Sequence, residues 1–129
     1  MKYEGIIEKA KKYHQCAQKI NSLALAKWDS SFELEYTHES TAIEGNTLSL
    51  LETKVVLEDG ISIGGKHLRE IFEVVNHKKA YEFIKGKIEE GLPLDEATTK
   101  DIHSILMENI FAGGFYRNVN VRITGAQHI

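Results

Sequence analysis

The stretch Ser40-Thr41-Ala42-Ile43-Glu44-Gly45-Asn46 sets a carboxylate in the last turn of an expected helix. Carbonyl groups leaving a helix C-terminus carry roughly half a negative charge, so an acid there costs on the order of 0.3–1 kcal/mol unless a cation offsets it. The chemistry open to Glu44 is ion pairing, and its partner is expected beyond the last residue, Ile129. The bland alternative is a solvated acid on a helix that also holds Glu33, Glu35 and Glu39. Ser40 stands one turn earlier on the same face. Its hydroxyl either steadies the carboxylate or bonds back to its own backbone. Gly45 reads as the helix stop and Asn46 as a turn residue.

Other chemistries find little support. The one cysteine, Cys16, makes no internal disulfide and no paired-thiol motif, and the six histidines (His14, His38, His67, His77, His103, His128) fall in no zinc spacing, so no metal is expected. His77 and His103 read as helix-surface or satisfied core histidines, and Asn76 as an amide bonded to a neighbouring loop. Trp28, Phe32, Phe72 and Phe83 read as core. Net charge is -3 with both signs interspersed, which argues against nucleic acid or an anionic membrane as partner. No apolar run approaches the roughly 20 residues that span a bilayer, and charges interrupt the N-terminal segment as they would not in a secretion signal, so a cytoplasmic location is expected.

The elements that must position Glu44 are helical. With 129 residues, 42% of them apolar, and a single proline, Pro93, the chain reads as one all-α domain. Ile6, Ile7, Ala10, Tyr13, Ala17, Ile20 and Leu23 recur at helical spacing and predict a first helix from about Glu4 to Lys27. A second helix is predicted from Asp29 or Ser30, both good N-caps, to Glu44. Leu48 to Leu57 reads as a short helix stopped by Glu58-Asp59-Gly60, and Gly64-Gly65 as a loop. Lys66 to about Glu89 carries the longest apolar face, and Asp95 caps a further helix containing Ile102, Ile105, Leu106 and Ile110. After Gly113-Gly114 the run Phe115 to Thr124 turns aromatic and β-branched with alternating polarity, which predicts a strand forming one arm of a hairpin.

Three separated features make the sequence resemble the Fic-domain (Fic/DOC) family, whose members transfer AMP from ATP to a hydroxyl side chain of a target protein. Ser40, Glu44, Gly45 and Asn46 resemble the family's inhibitory motif, a Ser or Thr followed after three free positions by Glu and then Gly or Asn. Glu73-Val74-Val75-Asn76-His77-Lys78-Lys79-Ala80 is similar to a family core helix. Gly114-Phe115-Tyr116-Arg117, with Val121-Arg122-Ile123-Thr124-Gly125-Ala126 and His128, looks like the strand pair called the flap. The resemblance implies N-terminal and inhibitory helices over 1–45, core helices over 46–111 and a partial flap hairpin over 112–129.

It also implies roles. Glu44 would pair with an arginine of the catalytic signature and so occupy the place the ATP γ-phosphate needs. Phe115, Tyr116, Arg117, Val121, Arg122, Ile123 and Thr124 would form the flap, to which a target protein segment adds as an extra strand. The family's catalytic signature, a His and a Phe followed by an acidic residue, Gly-Asn-Gly-Arg and a further Arg, is absent from these 129 residues. In relatives it supplies the general base, a magnesium ligand and the phosphate cradle, the positioning and charge neutralisation that phosphoryl-type transfer requires. The resemblance thus implies the N-terminal portion of an autoinhibited protein adenylyltransferase, with ATP and Mg2+ serving the full-length protein and no catalytic residue here. Two other readings stay open: a non-enzymatic, antitoxin-like inhibitor of a separate Fic enzyme, and a helical interaction module. Some self-association is expected from a chain that ends within a hairpin.

Overall fold

Asn21, rather than Asp29 or Ser30, begins the second helix. Ile20 takes an extended conformation (φ -87°, ψ 142°), and the Asn21 side chain accepts a hydrogen bond from the Ala24 N–H at 2.8 Å, a regular N-cap. The expected first helix is therefore cut at Lys19. The apolar repeat Ala17, Ile20, Leu23 runs straight through the break, because consecutive helices can share one apolar period while a cap separates them.

In this computed structural model, residues 3–111, 113 and 114 are described. The helices are α1 (Glu4–Lys19), α2 (Ser22–Ile43), α3 (Leu50–Lys54), α4 (Leu68–Glu89) and α5 (Glu96–Leu106). Among the described residues there is no strand, and the expected flap from Phe115 onward lies outside them. α3 starts two residues later than expected because Ser49 caps it: the Glu52 N–H donates to Ser49 Oγ and the Ser49 N–H to Glu52 Oε1, both at 3.0 Å. It runs on as a π-helical turn, Val55–Asp59, ended by Gly60 at φ 67°. Asp95 caps α5 as expected, accepting from the Thr98 N–H at 2.7 Å.

α4 is the central element, packed by α2 on one side and by α5 on the other. Leu48, Val56 and Val74 form the buried apolar cluster, with Leu57, Ile63, Ile71 and Val75 against it. Polar side chains complete the packing. Asn76, 1% exposed, donates from Nδ2 to the carbonyls of Leu106 (3.2 Å) and Glu108 (2.7 Å), tying the end of α5 to α4.

Trp28 and Phe32, expected in the core, are instead 53% and 44% exposed. They stack in a ladder along α2, with ring centroids 5.6 Å apart between Trp28 and Phe32 and 5.9 Å between Phe32 and Tyr36. The i, i+4, i+8 spacing that suggests a core stripe is equally the spacing of a self-stacked face. Phe72 and Phe83 are half-buried. Among the described residues no helix is long and apolar enough to cross a membrane.

Candidate functional site

α2 ends in a Schellman motif. The Gly45 N–H donates to the Ala42 carbonyl at 3.0 Å and the Asn46 N–H to the Thr41 carbonyl at 3.1 Å, with Gly45 at φ 99°. Glu44 is the residue at the cap itself (φ -92°, ψ 11°), and the last turn carries no basic residue. Its carboxylate therefore lies where the helix dipole is negative.

Asn46 does more than turn the chain. It is buried, and its Nδ2 donates to the Glu70 carbonyl (3.0 Å) and to Glu73 Oε2 (3.3 Å), while Oδ1 accepts from the Leu48 N–H (3.0 Å). Glu70 Oε1 accepts from both the Thr47 N–H (2.8 Å) and the Thr47 hydroxyl (2.7 Å), and Lys66 Nζ donates to the Thr47 carbonyl and hydroxyl oxygens, both at 3.0 Å. The Thr47 hydroxyl and amide bonds hold the Glu70 carboxyl below its usual range. The end of α2 is thus bolted to the first two turns of α4.

That bolt sets the wall of a cavity of about 420 Å³. α2 contributes Tyr36, Ser40, Thr41 and Glu44; α4 contributes Arg69, Glu73 and His77; His103, Leu106, Met107 and Ile110 close the far side. Thr41 Oγ1 bonds back to the Thr37 carbonyl at 2.8 Å. His77 Nδ1 lies 3.1 Å from Thr37 Oγ1, and burial pushes its pKa down, so the ring is neutral around pH 7.

The two carboxylates of the cavity differ in one respect. Glu73 is engaged at both oxygens, by Arg69 Nε at 3.2 Å and by Asn46 Nδ2. Glu44 is exposed and, among the described residues, makes no ion pair or side-chain hydrogen bond. The arrangement is suited to receiving a cation at Glu44 rather than to bond making: among the described residues no three His, Cys, Asp or Glu side chains converge as a metal would require. The far side of the same cavity reaches the start of the expected flap, because His103 Nδ1 accepts from the Gly114 N–H at 3.1 Å.

Of the residues singled out in the sequence, Ser40 and Glu44 are brought into the cavity, while Gly45 and Asn46 shape its edge. Phe115, Tyr116, Arg117, Val121, Arg122, Ile123 and Thr124 lie outside the described residues. The lining contributed by Arg69, Glu73, His77 and His103 was not evident from spacing, since it arises where α4 and α5 meet α2. Glu73 and His77, both already part of the core-helix resemblance, were the usable signals.

No protein-family model matches the chain. The protein adenylyltransferase fic-1 of Caenorhabditis briggsae is 33% identical over 90 residues, which is 70% of this chain and 16% of that protein. Protein adenylyltransferase fic-1 of Caenorhabditis elegans is 41% identical over 64 residues, 50% of this chain and 13% of that protein. The chain thus spans less than a quarter of the length of these relatives. Among solved structures, a Fic domain containing signaling protein from Bacteroides thetaiotaomicron superposes with a TM-score of 0.76 at 25% identity, covering 87% of this chain and 43% of that one. Residues 134–508 of C. elegans Fic-1 give 0.74 at 30% identity, covering 80% and 32%.

Proposed function

The chain is homologous to Fic-domain protein adenylyltransferases, and on that premise we propose that it is the regulatory front part of such an enzyme, with α2 as the inhibitory helix. Glu44 takes a guanidinium from a catalytic signature that these residues do not contain. While that arginine is held by Glu44, it cannot hold the γ-phosphate of ATP, whose phosphates then lie out of line for attack. Asn46 and the Thr47–Glu70 bonds fix where the α2 terminus stands, and so where the carboxylate points.

The observation that supports this reading is the state of Glu44: a helix-end carboxylate lining a cavity, without a partner among the described residues, beside a Glu73 whose oxygens are both engaged. For the segment from Phe115 onward, which lies outside the described residues, the role proposed is docking of a protein substrate. ATP and Mg2+ serve the complete enzyme.

The test uses the intact protein. Glu44→Gly raises transfer of AMP to the protein itself, read by mass spectrometry with ATP and magnesium; an unchanged rate means that Glu44 is not the brake. The 129-residue chain alone, under the same conditions, gains no AMP. A stoichiometric gain would show that catalysis does not need the missing signature.

A further inference from the structure

Arg69 is the one Lys or Arg among the described residues that line the cavity, and it comes from the same helix as Glu73. It holds Glu73 Oε1 through Nε at 3.2 Å, one turn along α4. The Arg69 side chain is 71% exposed and that of Glu73 24%. An i, i+4 pair in such a setting is weak, because water screens the charges and two long side chains lose rotamer freedom to meet. The guanidinium therefore exchanges partners at little cost.

The polar groups around it are already committed. Lys66 Nζ serves the Thr47 carbonyl and hydroxyl oxygens. Glu70 accepts from the Thr47 amide and hydroxyl and from the His67 N–H. Glu73 Oε2 accepts from Asn46 Nδ2, so Glu73 keeps a hydrogen bond when Arg69 leaves. Glu44, on the α2 wall, is the cavity carboxylate without a partner among the described residues. Arg69 thus shares one cavity with two carboxylates, and the bonds that fix the end of α2 to α4 do not run through it.

We infer that Arg69 is the chain's own competitor for Glu44, moving from Glu73 to Glu44 and so displacing the guanidinium that the brake would hold. The inference rests on the proposed role of Glu44 and names what releases it. Two guanidinium groups crowded on one carboxylate repel each other, so occupation by Arg69 disfavours the second. With Arg69 on Glu73, Glu44 is open and the brake can close. With Arg69 on Glu44, the arginine of the catalytic signature is left for the γ-phosphate of ATP. Arg69 is then a positioning residue, because it acts through Glu44 and not on the reacting atoms.

The exchange can be read first in the 129-residue chain, by NMR of the Arg69 Nε–H. Glu73→Gln removes the present partner's charge while keeping an acceptor for Asn46, and Arg69 is expected to turn to Glu44. Adding Glu44→Gln to that variant should then speed exchange of the Arg69 Nε–H with water by about twofold or more, whereas Glu44→Gln alone leaves it unchanged. No effect of Glu44→Gln in the Glu73→Gln background means that Arg69 does not reach Glu44, and the inference fails whatever the enzyme does.

In the intact protein, transfer of AMP to itself should fall about two- to fivefold in Arg69→Gln and rise by a similar factor in Glu73→Gln, with Arg69→Lys between wild type and Arg69→Gln. Each effect should vanish in the Glu44→Gly background, which a merely structural role of Arg69 would not produce. An unchanged rate in Arg69→Gln overturns the inference, as does a fall that persists without Glu44. If Glu44→Gly itself leaves the rate unchanged, the brake reading is what fails, and the Nε–H exchange alone judges the contact between Arg69 and Glu44. Circular dichroism confirms that the variants fold.

Discussion

Asn46 and Glu73 are 27 residues apart in sequence, and the Asn46 amide donates to the Glu73 carboxylate at 3.3 Å. This bond, with the Asn46 amide bond to the Glu70 carbonyl, determines where α2 stops relative to α4. Glu44, two residues before Asn46, inherits its place in the cavity from that junction.

Asn46→Ala is expected to remove three hydrogen bonds of a buried side chain and to destabilise the chain by about 2–4 kcal/mol, read from urea unfolding. Asn46→Asp keeps the acceptor for the Leu48 N–H but sets a carboxylate against Glu73. It should be no more stable than Asn46→Ala at neutral pH, and should recover as the pH falls into the carboxylate range.

Gly45 sits at φ 99°, with nothing within 4 Å of where a Cβ would stand. Gly45→Ala therefore costs backbone strain and not a clash, about 1–2 kcal/mol. A denaturation midpoint unchanged from wild type would mean that the α2 terminus relaxes into another cap.

Gly113 is held by contact. A Cβ there would stand 2.8 Å from the His103 carbonyl oxygen and 2.8 Å from Ser104 Cα, both backbone atoms of α5. Gly113→Ala should lift this stretch from α5 and break the bond from the Gly114 N–H to His103. Faster hydrogen exchange at the Gly114 amide is the expected signature.

Glu33 and His77 give stability opposite dependences on pH. Burial, reinforced by Glu82, raises the Glu33 pKa, and its Oε1 has no hydrogen-bond partner. The ionised form therefore costs stability above the folded pKa, and the cost fades as pH falls toward the unfolded value. Glu33→Gln should raise the urea midpoint at about pH 7.5, with a smaller gain at about pH 5. Burial lowers the His77 pKa, so its stabilisation is complete above the unfolded value of about 6.5 and is lost as pH falls through the folded value. His77→Gln should flatten that acid-side loss.

Much of the fold is legible in the residues. The apolar period on α4, the Asp95 cap and the Gly45 stop each act within a few residues, so a linear reading finds them. The break at Asn21 is also local, but the apolar repeat continuing across it was the stronger pattern. The outward position of Trp28 and Phe32 was hidden for a different reason. A helical stripe states which residues share a face, and only the neighbouring helices decide whether that face is covered.

The same division holds for the site. The sequence by itself determined that Glu44 stands at a helix end against the dipole, and its motifs carried the resemblance that the Fic-domain homologues bear out. Only the tertiary structure decided that Glu44 shares a cavity with Arg69, Glu73, His77 and His103, and that Glu44, not Glu73, is the carboxylate left without a partner among the described residues. The physical reason is range: capping and helix dipoles act over one turn of chain, whereas the cavity is made by side chains from Tyr36 to Ile110, far apart in sequence, which meet because α4 packs against both α2 and α5.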